Sequence, residues 1–138
     1  MKLHYEVAGD DFTRAGEASG AVKATLKRLG FPADVIRRVA IAMYEGEINM
    51  VIHADGGVAD VEIEPDRILV TLTDRGPGIP DVEKAMQEGF STAPENVRNL
   101  GFGAGMGLPN IKRYTDDLKI DTEIGKGTCI RMTINVPS

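Results

Sequence analysis

The sequence predicts an α+β domain, a two-layer α/β sandwich with helices on one face of a mixed, mostly antiparallel sheet. Two observations carry this reading. Four strand-like runs come in pairs closed by short turns, Val58 to Ile63 with Ile68 to Thr73 and Leu118 to Ile124 with Thr128 to Val136, the pattern of two β-hairpins. Ahead of them, two long stretches repeat apolar residues every three to four positions, the spacing of helices with one buried side.

Taken in order, Leu3 to Val7 alternates as a short strand that Gly9-Asp10-Asp11 ends, and its terminal position puts it at a sheet edge. From Thr13 the period is helical: Ala15, Ala18, Val22, Leu26 and Leu29 share one side, Lys23, Lys27 and Arg28 the other, with Gly30 as the stop. Asp11 or Thr13 is the expected cap. Pro32, with no amide hydrogen to leave unpaired, opens a second, longer helix. Among its apolar residues Val39, Ala42, Met43, Ile48, Val51 and Ile52 runs a stripe at four-residue spacing, Ile41, Glu45, Asn49 and His53, so Glu45 and Asn49 point the same way. Asp55-Gly56-Gly57 closes that helix, and Glu64 to Arg67 turns the first hairpin.

After the hairpin come Asp74-Arg75-Gly76-Pro77-Gly78-Ile79-Pro80 and a short helix from Pro80 to Met86. Glu88 to Gly105 has no hydrophobic period, which in a small domain marks a functional lid or a disordered segment. Gly107 to Tyr114 is helical again, and Gly125-Lys126-Gly127 turns the last hairpin.

With 138 residues the chain reads as one domain, 1–138, long enough to bury roughly two-thirds of its unfolded surface. A net charge of −5 provides no basic surface for a nucleic acid backbone. Cys129 is the single cysteine, expected as a buried thiol in a reducing compartment. No charged-then-apolar leader opens the chain, and no apolar run approaches the roughly 20 residues that cross a bilayer. The expected location is cytoplasmic, with neither membrane nor nucleic acid as partner.

Three stretches carry chemistry: Glu45-Gly46-Glu47-Ile48-Asn49 on the long helix, the Asp74-x-Gly76-x-Gly78 turn after a strand, and Gly101-Phe102-Gly103-Ala104-Gly105-Met106-Gly107-Leu108 opening a helix. Each alone has an ordinary alternative. A helix face can be solvated, Asp and Gly recur in tight turns, and glycine runs make linkers. The last is neither a Walker A loop, since no Gly-Lys-Ser/Thr follows, nor a Rossmann fingerprint, since no strand precedes its helix.

In this order the three stretches resemble the nucleotide site of the GHKL ATPases, the superfamily of the gyrase B subunit, Hsp90, the histidine-kinase catalytic domain and MutL. The resemblance runs from about Ala15 to Val136 and implies the Bergerat, histidine-kinase-like ATPase fold, with ATP and Mg²⁺ as cofactors. It assigns Glu45 to orient and deprotonate the nucleophile and Asn49 to give an oxygen to Mg²⁺, a hard cation. Asp74 receives the adenine amino group, because a carboxylate accepts and cannot donate, and Gly76 and Gly78 let the backbone approach base and sugar. Gly101, Gly103, Gly105, Gly107 and Leu108 fall to the phosphates at a helix start, within an ATP lid at about 88–107. Thr128 matches a threonine near the adenine ring, or is an ordinary β-branched strand residue. Arg98, Lys112 and Arg113 either offset triphosphate charge or are solvated, and His53 reads as structural.

Within that superfamily, Asp74 to Asp81, Glu88-Gly89-Phe90-Ser91-Thr92 and Gly107-Leu108-Pro109-Asn110-Ile111-Lys112-Arg113 are similar to the bacterial switch-protein and anti-sigma-factor serine kinases. Ala93 to Leu100 lengthens the lid relative to the switch kinases, and Gly105-Met106-Gly107-Leu108 is closer to the anti-sigma type. The resemblance implies a protein serine/threonine kinase acting on a small STAS-type antagonist protein, with a sigma factor or switch phosphatase as further partners, and allows a homodimer. Two alternatives stay open: a nucleotide-gated module that holds a sigma factor or other partner, and a plain ATPase.

Overall fold

A computed structural model describes residues 1–9, 15–53, 56–76 and 107–137, without the side chains of 52, 53 and 107. The proposed short helix from Pro80 to Met86, and the lid up to residue 106, lie outside them. Strands β1 (Lys2–Ala8), β2 (Gly56–Ile63), β3 (Arg67–Asp74), β4 (Asp117–Glu123) and β5 (Gly127–Asn135) form one sheet in the order β1-β2-β3-β5-β4. All four pairings are antiparallel, so among the described residues the sheet has no parallel element. β1 is an edge, as its terminal position suggested.

Period-two alternation sorts the strand side chains onto two faces, and the helices cover one of them. Ala59, Leu72, Ile130 and Ile120 lie in one row across β2, β3, β5 and β4. Val61, Val70, Met132 and Leu118 form the next row. All are buried except Ile120 and Leu118, which are half-buried on the edge strand. The opposite face carries His4, Asp60, Thr71, Arg131 and Asp121 and stays solvated. Cys129 belongs to that open face, half-buried and accepting a long hydrogen bond from the Thr73 hydroxyl at 3.8 Å. The expectation of a buried thiol is thus corrected: the register makes its neighbours Thr128 and Ile130 the inward residues.

Helices α1 (Glu17–Arg28), α2 (Ala33–His53) and α3 (Gly107–Tyr114) supply the other layer, with α2 packed between the other two and against the sheet. α1 ends as Gly30 predicted: at φ +80, the amide of Gly30 donates to Lys27 O and that of Phe31 to Leu26 O, closing the helix in a Schellman turn. Its start differs from expectation. α1 begins at Glu17 after an N-cap Gly16 at φ +95 that has no side-chain cap of its own, and Ala15 is in the preceding turn. Asp11 and Thr13 lie outside the described residues. Arg38 of α2 ties the other end of the layer, donating to Tyr114 O at 3.2 Å and pairing with Asp116 at 2.9 Å.

Gly46 sets how close α2 lies to the sheet. A Cβ there would sit 2.2 Å from Leu72 Cδ1 and 3.3 Å from Met132 Cε. Gly46→Ala gains about 1 kcal/mol in helix propensity but overpacks a full core, at about 1–3 kcal/mol. The expected result is a net loss, read as a lower urea midpoint at unchanged slope.

Candidate functional site

The top row of the sheet is polar where the rows beneath it are apolar. Gly57, Asp74, Thr128 and Thr122 occupy it in register. Asp74 ends the central strand β3, and glycines stand beside it on both sides. A Cβ at Gly57 would lie 3.0 Å from Asp74 Cα, and one at Gly127 would lie 2.1 Å from Asp74 O. Gly127, at φ +128, is therefore required by close backbone approach as well as by its turn. Sequence reasoning placed Gly127 only in the hairpin turn.

Among the described residues, both hydrogen bonds to the Asp74 side chain converge on Oδ1. It accepts the amides of Gly76 at 2.9 Å and Thr128 at 3.2 Å, the first an Asx-turn. Among the described residues, Oδ2 is left to accept from elsewhere. The Thr128 hydroxyl is buried and shares a 2.9 Å hydrogen bond with Thr122, whose own hydroxyl donates to Gly127 O at 3.3 Å. Such a pair of oxygens suits an exocyclic amino group. Gly78 lies outside the described residues.

α2 delivers the second half of the site. Its Gly46 faces Leu72, and Met50 Sδ would be 3.0 Å from a Cβ on Gly57, so the helix runs along β3 toward Asp74. Glu45 and Asn49 are both half-buried, in keeping with one shared face. Glu45 Oε1 accepts a hydrogen bond from Asn110 Nδ2 of α3 at 3.2 Å. The Tyr44 phenol is raised above its usual value by burial, then by the charges of Glu45 and Glu47, and so stays a protonated donor at neutral pH.

Glu47 is the residue that sequence reasoning missed. It is 2% exposed. Its Oε2 accepts the amides of Gly16 at 2.9 Å and Ala18 at 3.2 Å, and its Oε1 accepts the amide of Ser19 at 3.0 Å. A side chain on α2 thus performs the capping that α1 lacks locally, at the positive end of the helix dipole. The signal was a carboxylate on the same side of the helix as Met43, Met50 and Val51, a position that demands strong partners. Among the described residues, Glu47 accepts three amides and is 2% exposed, whereas the half-buried Glu45 accepts one hydrogen bond, on Oε1.

α3 starts at Gly107, and its Leu108 is 6% exposed in the core, which makes Leu108 an anchor of the helix. Gly101, Gly103, Gly105 and Arg98 lie outside the described residues, as does the His53 side chain. Lys112 and Arg113 occupy the last turn of α3 and are exposed, away from its start.

A carboxylate at the end of the central strand, a Glu/Asn face one helix turn apart and a helix beginning beside them form one constellation. Residues 10–134 match the family model described as the histidine kinase-like ATPase domain. The chain belongs to that family. Proteins similar to it include the serine/threonine-protein kinase RsbT of Bacillus subtilis strain 168, 35% identical over 109 residues that make up 76% of each chain. The anti-sigma F factor of Pasteuria penetrans is 32% identical over 133 residues, 88% of this chain and 85% of that protein. In fold, the chain is similar along its whole length to 34% of a chain holding the RsbU and RsbW domains of Rv1364c from Mycobacterium tuberculosis, with a TM-score of 0.66 and 16% identity. It is also similar to the mycobacterial sensor histidine kinase MprB, with a TM-score of 0.55 and 19% identity over 99% of this chain and 98% of that one. These likenesses agree with the α+β architecture, and the family is one of ATP-using domains.

Proposed function

We propose that this histidine kinase-like ATPase domain is a Mg²⁺-dependent protein serine/threonine kinase of a cytoplasmic partner-switching pathway. Its substrate would be a serine or threonine on a small STAS-type antagonist, with a sigma factor or switch phosphatase as the further partner. The observation that carries the reading is the division of labour between two acids on one helix: Glu47 is sealed as a cap, while Glu45 remains half-buried one turn from Asn49. The similarity to a protein named as a serine/threonine kinase supports the reaction, and that to anti-sigma F factors supports the pathway.

Asp74 Oδ2 and Thr128 would receive the adenine, and Asn49 would give its side-chain oxygen to Mg²⁺, which when bound offsets the triphosphate charge. Glu45 would take the proton from the incoming hydroxyl. That hydroxyl oxygen bonds to the γ-phosphorus as the bond to the β–γ bridging oxygen breaks, leaving ADP. No helix among the described residues is long and apolar enough to cross a membrane. The experiment is incubation of the purified protein with γ-labelled ATP, Mg²⁺ and source-organism lysate, beside Glu45→Ala. Label should move to one small protein as acid-stable phosphoserine or phosphothreonine, and only with the unaltered chain. Label found only as free phosphate would favour the ATPase, and label left on ATP would favour a nucleotide-gated binding module.

A further inference from the structure

We propose that Asn110 is a positioning residue for Glu45, aiming its carboxylate at the hydroxyl it deprotonates; the inference rests on Glu45 being the base. Asn110 Nδ2 donates to Glu45 Oε1 at 3.2 Å across 65 residues of chain. A carboxylate offers only acceptors, so the amide must present its NH₂ side. That pins one oxygen of a flexible side chain and, among the described residues, leaves Oε2 to face the substrate.

The donor's chemistry suits the task. A lysine or arginine at this position would stabilise the carboxylate as an ion pair and weaken it as a base, whereas a neutral amide orients it at smaller cost in basicity. The support beneath the amide is packed into the core. Asn110 lies in the first turn of α3 between Leu108, 6% exposed, and Ile111, 0% exposed, so two core side chains fix the helix that carries it. The same turn begins at Gly107, the residue that the resemblance to the GHKL ATPases assigns to the phosphates. One side chain therefore links the base on α2 to the helix on the phosphate side, which neither local motif specifies.

A bond that merely fastened α3 to α2 would serve stability alike with or without a working base, and a double-mutant cycle separates the two roles. The full chain is followed by loss of label from γ-labelled Mg-ATP in the lysate assay above, with affinity for a fluorescent ATP analogue and thermal unfolding measured in parallel. Asn110→Ala is expected to slow turnover about tenfold, with nucleotide affinity within about twofold of the unaltered chain. Asn110→Asp, of the same shape, should slow it further, because it exchanges the donor for a second negative charge. Asn110→Ser, which keeps a short donor, should recover part of the rate. In a Glu45→Gln background, Asn110→Ala should have no further effect. Equal losses in both backgrounds, or none in either, overturn the proposal while leaving Glu45 as the base. Full activity of Glu45→Gln alone overturns the base assignment itself, and the positioning role with it. If Asn110→Ala lowers the unfolding temperature, the isosteric Asn110→Asp carries the comparison.

Discussion

Glu47→Ala is expected to destabilise the domain by about 3 kcal/mol or more. Three amides at the start of α1 lose their acceptor at once, those of Gly16, Ala18 and Ser19, and the last two bonds are fully buried. Each orphaned buried donor costs about 1–3 kcal/mol, and the helix dipole loses its counter-charge. Relief from no longer burying a charge offsets part of the sum. Glu47→Gln should fall between, since its amide oxygen can serve one side of the cap while its NH₂ group opposes an N–H on the other. Urea unfolding followed by circular dichroism reads both, and an alanine variant within about 1 kcal/mol of the unaltered chain would remove the cap from the account.

Asp74→Asn should weaken ATP binding about 10- to 100-fold, as expected for a lost hydrogen bond to a charged group. The reason lies in which oxygen is already engaged. Gly76 and Thr128 both donate to Oδ1, so an asparagine would keep its carbonyl oxygen there and turn its NH₂ outward where Oδ2 was. Two donors would then meet, the new NH₂ and the adenine amino group. The same swap creates a donor for the carbonyl of guanine, so GTP affinity should rise relative to ATP. Equilibrium titration with fluorescent analogues of both nucleotides tests this, and an unchanged ATP-to-GTP ratio would place the base elsewhere.

The elements were legible because their signals are local. Two hairpins and the three helices among the described residues follow from side-chain period, and the stop at Gly30 follows from a left-handed backbone that glycine adopts without strain. The Glu45/Asn49 face is legible for the same reason: four-residue spacing on a helix requires no knowledge of what the helix meets. Asp74 was marked by its place between a strand and a Gly-rich turn, and the register sets it on the inward face beside Thr128. The inward direction of Cys129 was misjudged because alternation gives two faces without naming the covered one.

What sequence alone determined, then, is the order of the described elements, the family and which acids and amides stand on the long helix and at the end of β3. The tertiary structure decided what each of them is free to do. Glu45 and Glu47 are the same residue type two positions apart, yet one meets the start of α1, 31 to 28 residues away in the chain, and the other meets Asn110, 65 residues away. No local pattern distinguishes them, because a carboxylate's role depends on which donors folding brings to it. Likewise the glycines at 57 and 127 are needed where β2 and β5 press against Asp74, a contact created only when the strands pair.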